Sequence, residues 1–359
     1  MKILIIVPNN NLGGAEQFLR MVANYYGKEH EVTIFFFYKK VASNVWDDLN
    51  GPNIQKRLFS DKNEKIGFIK FLFHQLFSNK KKYDFIYTSN VFVTGITGLL
   101  LKLRILRAKK FIGRESTSIF IRYKGLKLKR YQLFYKIGYG KVDLLICQTD
   151  TMREQLVEAL PHLESKAKTI SNPINLNEMK SMSEMEFNKE LPQEYIVTAG
   201  RLMPIKGFDN LIKAFTSLKD KYPNLKLVLL GNGNLETELQ ELAQSLQVAN
   251  DVIFEGYVQN VYPYFKHARL CVVSSILEGF PNVLLQMMSQ NNNVVSTLCA
   301  GNIDKIEGLE TCVPGDANAL AGAIEKVLNR DTKGNRILFD TFLAQNDIKK
   351  FVEKVEKLA

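Results

Sequence analysis

Short, continuous apolar runs alternate with longer segments of helical period along the whole chain. ILIIV (3–7) precedes a helical stretch near 14–27, and EVTIFFF (31–37) follows it. DFIYT (84–88), KKFIG (109–113) and DLLIC (143–147) each stand between helix-period segments. Near residue 190 the pattern restarts with YIVTAG (195–200), KLVLLG (226–231), VIFEG (252–256) and LCVVSS (270–275). Helices are predicted there around 207–221, 235–248, 259–267 and 282–290. Strands that are apolar throughout and spaced by helices predict parallel sheets covered on both faces. Two such series predict two doubly wound α/β domains.

Between the series lies a polar segment, Ser171 to Gln193, with two prolines and no strand pattern, which reads as a linker. The segment NDIKKFVEKVEKLA sets Ile348, Phe351, Val352, Val355 and Leu358 on one face of an amphipathic helix. The predicted organisation is therefore a domain over 1–175, a second over 176–345, and a helix over 346–359. A chain of 359 residues holds two such domains at about 100–200 residues each.

An apolar fraction of 46% supplies core enough without disulfide staples. Cys147, Cys271, Cys299 and Cys312 are scattered, mostly inside apolar runs, and read as buried thiols in a reducing compartment. The four histidines (His30, His74, His162, His267) are not clustered, so no zinc site is expected. MKILIIVPNNN is too short in its apolar run for a signal peptide. Phe85 to Leu101 is broken by Thr88-Ser89-Asn90 and two glycines, and falls short of the ~20 apolar residues of a membrane span. The expected location is cytoplasmic.

Charge changes the picture. Residues 1–175 hold 29 Lys/Arg against 14 Asp/Glu, net +15, and the remainder 19 against 23, net −4, which together give +11. That asymmetry points to an anionic partner or to a solvated basic face. No nucleic-acid-binding module is recognisable, so no nucleic acid is expected. KIGFIKFLFHQLFSNKKK (65–82), with the basic run at 102–141, fits docking on an anionic membrane surface; a plain core helix fits it as well.

Open α/β sheets bind ligands at the carboxyl ends of their strands, so chemistry is sought in the loops that follow them. After the first strand, Gly13-Gly14 opens a helix and reads either as a tight turn or as a close approach to a ligand. No GxGxxG motif and no acid ending the second strand accompany it, which disfavours a nicotinamide site. After YIVTAG, Arg201 and Lys206 stand five residues apart, placed to converge on a diphosphate. KLVLLGNGN ends in a Gly231-Asn232-Gly233 turn. After LCVVSS, Glu278 precedes the turn Gly279-Phe280-Pro281-Asn282, with Asn282 the predicted N-cap of the next helix. A carboxylate beside a phosphate site is suited to sugar hydroxyls rather than to the phosphate.

Read together, GRLMPIKGFDNLIKAF, LLGNGN, FEGYV, SSILEGFPNVLLQMM and VPGD resemble the second domain of retaining nucleotide-sugar glycosyltransferases of family 4. NLGGAEQ and TISNPINL extend the resemblance to the first. It implies a GT-B fold: two Rossmann-like domains facing a cleft, donor in the second, acceptor in the first, and a final helix crossing back. It implies that Arg201 and Lys206 bind the donor diphosphate, that Gly231 packs near the nucleotide, and that Tyr257-Val258 presents backbone to the base. Glu278 matches the first acid of the family's E-x7-E; Gly279, Phe280, Asn282 and Val283 line sugar and phosphate; Gly13 and Gly14 close on the diphosphate.

Two departures stand out. Gln286 replaces the second acid, which in relatives binds the ribose hydroxyls. Many relatives carry a histidine after the strand matching KKFIG, where this chain has Arg114-Glu115, an acceptor-side pair or a buried ion pair. The resemblance implies a uridine-diphosphate sugar as donor and a glycan or lipid-diphosphate-linked acceptor in cell-surface polysaccharide synthesis. With no D-x-D triplet, neither metal nor cofactor is expected. A non-catalytic nucleotide-sugar-binding protein, and a GT-B epimerase or phosphorylase, are the alternatives.

Overall fold

The computed structural model describes every residue except 12, 41–45, 48 and 78–80. The chain forms two compact units: Met1–Pro173 with Ile348–Ala359, and Ile174–Asp347.

The first unit opens with β1 (Lys2–Asn9), α1 (Gly14–Gly27), β2 (Glu31–Tyr38), β3 (Ile54–Leu58), α2 (Glu64–Phe77), β4 (Lys82–Thr88) and α3 (Val91–Lys102). It continues with β5 (Arg107–Arg114), α4 (Ile119–Arg122), α5 (Gly125–Gly138), β6 (Leu144–Cys147), α6 (Asp150–Ala159) and β7 (Ala167–Thr169). All seven strands pair in parallel, in the order β3-β2-β1-β4-β5-β6-β7. The all-apolar strand 3–7 serves both faces: Leu4 and Ile6 enter one core, Ile3, Ile5 and Val7 the other. That is why it reads as a continuous run rather than an alternation.

The second unit holds α7 (Leu176–Ser183), β8 (Tyr195–Ala199), α8 (Phe208–Leu218), β9 (Lys226–Leu230), α9 (Glu236–Ser245), β10 (Val252–Gly256) and α10 (Tyr262–His267). There follow β11 (Leu270–Val273), α11 (Asn282–Gln290), β12 (Val294–Thr297), β13 (Glu310–Cys312), α12 (Ala317–Leu328) and α13 (Asn335–Gln345). Its six strands are parallel, in the order β10-β9-β8-β11-β12-β13. The order reverses between β8 and β11, so the loops leaving those two strands flank the crevice where such sheets take ligands.

α14 (Ile348–Leu358) belongs to the first unit. Ile348, Phe351, Val352 and Val355 are buried in the core that holds Phe18, Leu19 and Val22 of α1, and Phe18 meets Phe351 edge to face at 5.6 Å. Burying each such side chain contributes about 1.5–3 kcal/mol. Leu358 is exposed and lies outside that face, a correction to the predicted stripe.

The expected linker also differs. Part of it folds as α7, because Asn175 caps the helix by accepting from the Glu178 N–H at 3.2 Å and Met179 buries itself in the second unit's core. All four cysteines are free and buried. Among the described residues no helix is long and apolar enough to cross a membrane.

Candidate active site

The loops leaving β8 and β11 are stitched together. Ile276 N–H donates to the Ile205 carbonyl at 2.8 Å, and Ser274 Oγ donates to the Lys206 carbonyl at 2.9 Å. The approach is close enough to require glycine: Gly207 has φ +62°, and a Cβ there would stand 2.3 Å from the Ser274 carbonyl oxygen. This seam brings the Lys206 ammonium onto Glu278 Oε1 as an ion pair, both side chains about one-fifth exposed. Ser275 Oγ donates to the same carboxylate oxygen at 3.0 Å. The Glu278 N–H is held by the Cys299 carbonyl at 2.8 Å.

This leaves reactive capacity on both partners. An ammonium has three donors, and one goes to Glu278. Glu278 Oε2 has no partner among the described residues. Arg201, at the start of the same β8 loop, is exposed and has no carboxylate partner among the described residues. A fixed carboxylate oxygen therefore stands beside ammonium donors, with a guanidinium on the same loop, a set suited to a hydroxylated ligand carrying a diphosphate.

The remaining second-unit residues are placed as follows. Gly231 donates its N–H to the Gly256 carbonyl at 2.7 Å. Its φ is +131°, and a Cβ would stand 2.0 Å from the Gly200 carbonyl, so it closes the β9 loop against the β8 loop. Tyr257 is exposed, whereas Val258 packs on the core. Phe280 and Val283 turn their side chains into the same core, which leaves backbone as what they offer a ligand. Asn282 is the first helical residue of α11 and not its cap; Pro281 takes that place, accepting through its carbonyl from the Leu284 N–H at 3.0 Å. The first N–H groups of such a helix have no intrahelical acceptor and favour an anion. Gln286 joins Tyr262, its Nε2 donating to the tyrosine oxygen at 3.3 Å. Burial raises the Tyr262 hydroxyl to about 12 against that donated bond.

In the first unit, the Gly13 N–H donates to Glu16 Oε2 at 3.1 Å at the start of α1, the half of a capping box that a glycine without a side chain can make. Gly14 is the first residue of that helix. Arg114 and Glu115 are both buried and diverge, as successive residues of an extended chain must. Arg114 donates to Ser89 Oγ at 3.0 Å and to Asn172 Oδ1 at 2.6 Å, its guanidinium over the Phe18 ring at 4.6 Å. Glu115 accepts from the hydroxyls of Tyr135 at 2.8 Å and Tyr139 at 2.9 Å. Gln148 ties the two sides, donating to the Glu115 carbonyl and accepting from Asn172 Nδ2, each at 2.8 Å.

The result is a buried network across the carboxyl ends of β4, β5 and β6 and the segment after β7. Burial raises the Glu115 carboxyl to about 7, opposed by the two tyrosine hydrogen bonds and by Arg114. Burial also pulls the Arg114 guanidinium down, opposed by Glu16 and Glu115. Ser89, Asn172, Gln148 and Ser275 escaped the sequence reading, since isolated small polar residues after strands carry no spacing signal.

Comparison with known proteins bears on this arrangement. Residues 182–338 match the family Glycosyl transferases group 1, and residues 12–178 match Glycosyltransferase Family 4. An uncharacterized glycosyltransferase of Methanocaldococcus jannaschii is 31% identical over 217 residues, covering 59% of this chain and 53% of that protein. The match thus spans about half the length of that relative. A Campylobacter jejuni α-1,4-N-acetyl-D-galactosaminyltransferase, named for its diphospho-undecaprenol-linked saccharide, is 28% identical over 345 residues, 92% of this chain and 89% of that one. The crystal structure of Anabaena HepE with UDP superposes with a TM-score of 0.78 at 18% identity over 99% of both chains.

Proposed function

Because the chain belongs to the glycosyltransferases of family 4, built on the GT-B fold, we propose that it moves a sugar from a nucleotide-diphosphate donor with retention of anomeric configuration. The donor nucleotide is uridine diphosphate, and the acceptor is a hydroxyl of a glycan or a lipid-diphosphate-linked saccharide. In support of uridine, Anabaena HepE is described with UDP and with UDP-glucose bound. The Campylobacter jejuni relative's name supports the lipid-linked acceptor.

The observation that carries the reading is the Lys206–Glu278 pair, with Glu278 Oε2 unspent and Arg201 on the same loop. Lys206 and Arg201 hold the diphosphate, and Glu278 Oε2 accepts from a hydroxyl of the donor sugar. The bond from anomeric carbon to phosphate oxygen breaks as the acceptor oxygen attacks from the same face, and the acceptor proton passes to the departing phosphate. Positive groups fixed in advance at that oxygen lower the barrier where charge builds. No general base is needed, and no metal bridges the diphosphate.

Unit 1 docks on an anionic leaflet. Ile69, Phe73, Leu76 and Phe77 are exposed along α2, with Phe73 and Phe77 stacked at 6.1 Å. Leu126 and Leu133 are exposed on α5 among Lys127, Lys129 and Arg130. Lys80, the first of the three lysines after α2, lies outside the described residues.

Incubation with a panel of nucleotide sugars and a lipid-linked saccharide extract, followed by proton NMR of the product linkage, tests the reading. An α donor should give an α product with stoichiometric release of nucleoside diphosphate. An inverted linkage, or release of a changed sugar nucleotide without acceptor, overturns it.

A further inference from the structure

At the opposite end of the first sheet from Ser89 and Arg114 lies a cavity of about 400 Å³. It is lined by the amino-terminal parts of β2, β3 and β4 and by the end of α2, with Gln55, Arg57, His74, Gln75, Lys81 and Tyr83 among its walls. Tyr83 precedes Ser89 by six residues of strand at about 3.3 Å each, so the cavity is about 20 Å from the carboxyl edge.

Its chemistry is one-signed. Among the described residues no carboxylate lines it, while Arg57 and Lys81 do. Lys56 also borders the cavity but spends its ammonium on the Trp46 carbonyl at 2.9 Å and Asn50 Oδ1 at 3.1 Å. Arg57 and Lys81 are exposed and His74 is half-buried. His74 is clamped edge-on by Phe35 at 5.6 Å and Phe59 at 5.4 Å, and the Arg57 guanidinium lies over the Phe59 ring at 5.4 Å while reaching His74 Nε2. A guanidinium fixed on an aromatic ring, a lysine and an imidazole around a pocket of small-ligand size form an anion site.

We propose that this cavity binds a phosphate ester, held by Arg57 and Lys81, with His74, whose Nε2 accepts from Arg57 and whose Nδ1 lies 3.1 Å from Gln75 Nε2, reporting on the bound charge. Neither cation has a carboxylate partner among the described residues. The phosphate comes either from a soluble metabolite or from the head group of a lipid beneath α2, whose outer face carries Phe73 and Phe77. The site goes beyond the transfer reaction and does not depend on it.

Imidazole NMR tests it, since the chain has only four histidines. Among the described residues Arg57, Lys81 and Tyr83 line the cavity with His74, and burial together with Arg57 lowers the imidazole midpoint below its ordinary value. Inorganic phosphate should raise that midpoint beyond the effect of chloride at equal ionic strength, because a bound anion favours the imidazolium. Replacing Arg57→Gln and Lys81→Gln together should weaken the phosphate effect about tenfold or more. A midpoint that phosphate moves no further than chloride, or a shift that survives the double substitution, overturns the proposal. Flotation on phosphatidylglycerol vesicles distinguishes the source: competition by phosphate assigns a lipid head group, and indifference to phosphate assigns a soluble ester.

Discussion

Lys206 and Glu278 stand 72 residues apart and form an ion pair whose carboxylate is held a second time by Ser275. The lysine follows β8 and the glutamate follows β11, the two strands on either side of the sheet's reversal. Removing either leaves the other partly buried without its counter-charge. Lys206→Ala should lower turnover about 10²–10³-fold if it stabilises the leaving diphosphate. Glu278→Gln keeps an acceptor for Ser275 and should lower kcat/KM as well. The double variant should lose less than the product of the two effects, since they act as a unit. Full multiplicativity in steady-state kinetics would show that the pair is incidental.

Gln286 donates to Tyr262 at the position where the family resemblance implies an acid. A neutral hydrogen bond nets about 0.5–1.5 kcal/mol and a charged one about 1.5–3, so the amide costs roughly 1 kcal/mol. Gln286→Glu should therefore change donor affinity less than about tenfold by calorimetry. A hundredfold gain in turnover would refute the assignment of Glu278 as the essential acid.

In the proposed mechanism Arg201, Lys206 and the start of α11 supply the positive charge at the diphosphate, with no bridging cation. Sugar transfer should persist in EDTA after exhaustive dialysis. Complete loss restored by magnesium would contradict the proposed mechanism.

The Glu115 network makes a stability prediction. Burial raises its carboxyl from 4.5 to about 7. Between those values the folded chain keeps a proton that the unfolded chain has released, so this group's contribution to stability falls as pH rises through the window. The difference is on the order of 3 kcal/mol and is complete above the folded value. Glu115→Gln does not titrate and should lack that slope. Urea midpoints at about pH 5 and about pH 8 should diverge between the two proteins, the variant gaining relative stability at the higher pH. Parallel curves would mean that Glu115 stays ionised throughout.

What was legible followed burial. β1, β2, β8, β9 and β11 read clearly because strands covered on both faces must be apolar at successive positions. β3, IQKRL, was missed because it closes the edge of the first sheet, where exposed residues alternate with half-buried ones. β7 and β13 have three residues each, too few to show a period. The candidate site was readable as far as its motifs reached: Arg201, Lys206 and Glu278 all sit in loops beside the reversal. Their pairing was not readable, because it depends on Gly207 admitting the Ser274 carbonyl, a tertiary approach that leaves no local pattern. The cap of α11 went to Pro281 rather than Asn282 for a similar reason: the side-chain rule for caps is one of several ways to start a helix.

The place of α14 has a consequence for synthesis. While residues 174–347 are still emerging from the ribosome, the surface of α1 that receives Phe351 and Val355 has nothing to cover it. The first unit thus waits for a helix made after the second, with Phe18 and its neighbours uncovered by it in the meantime.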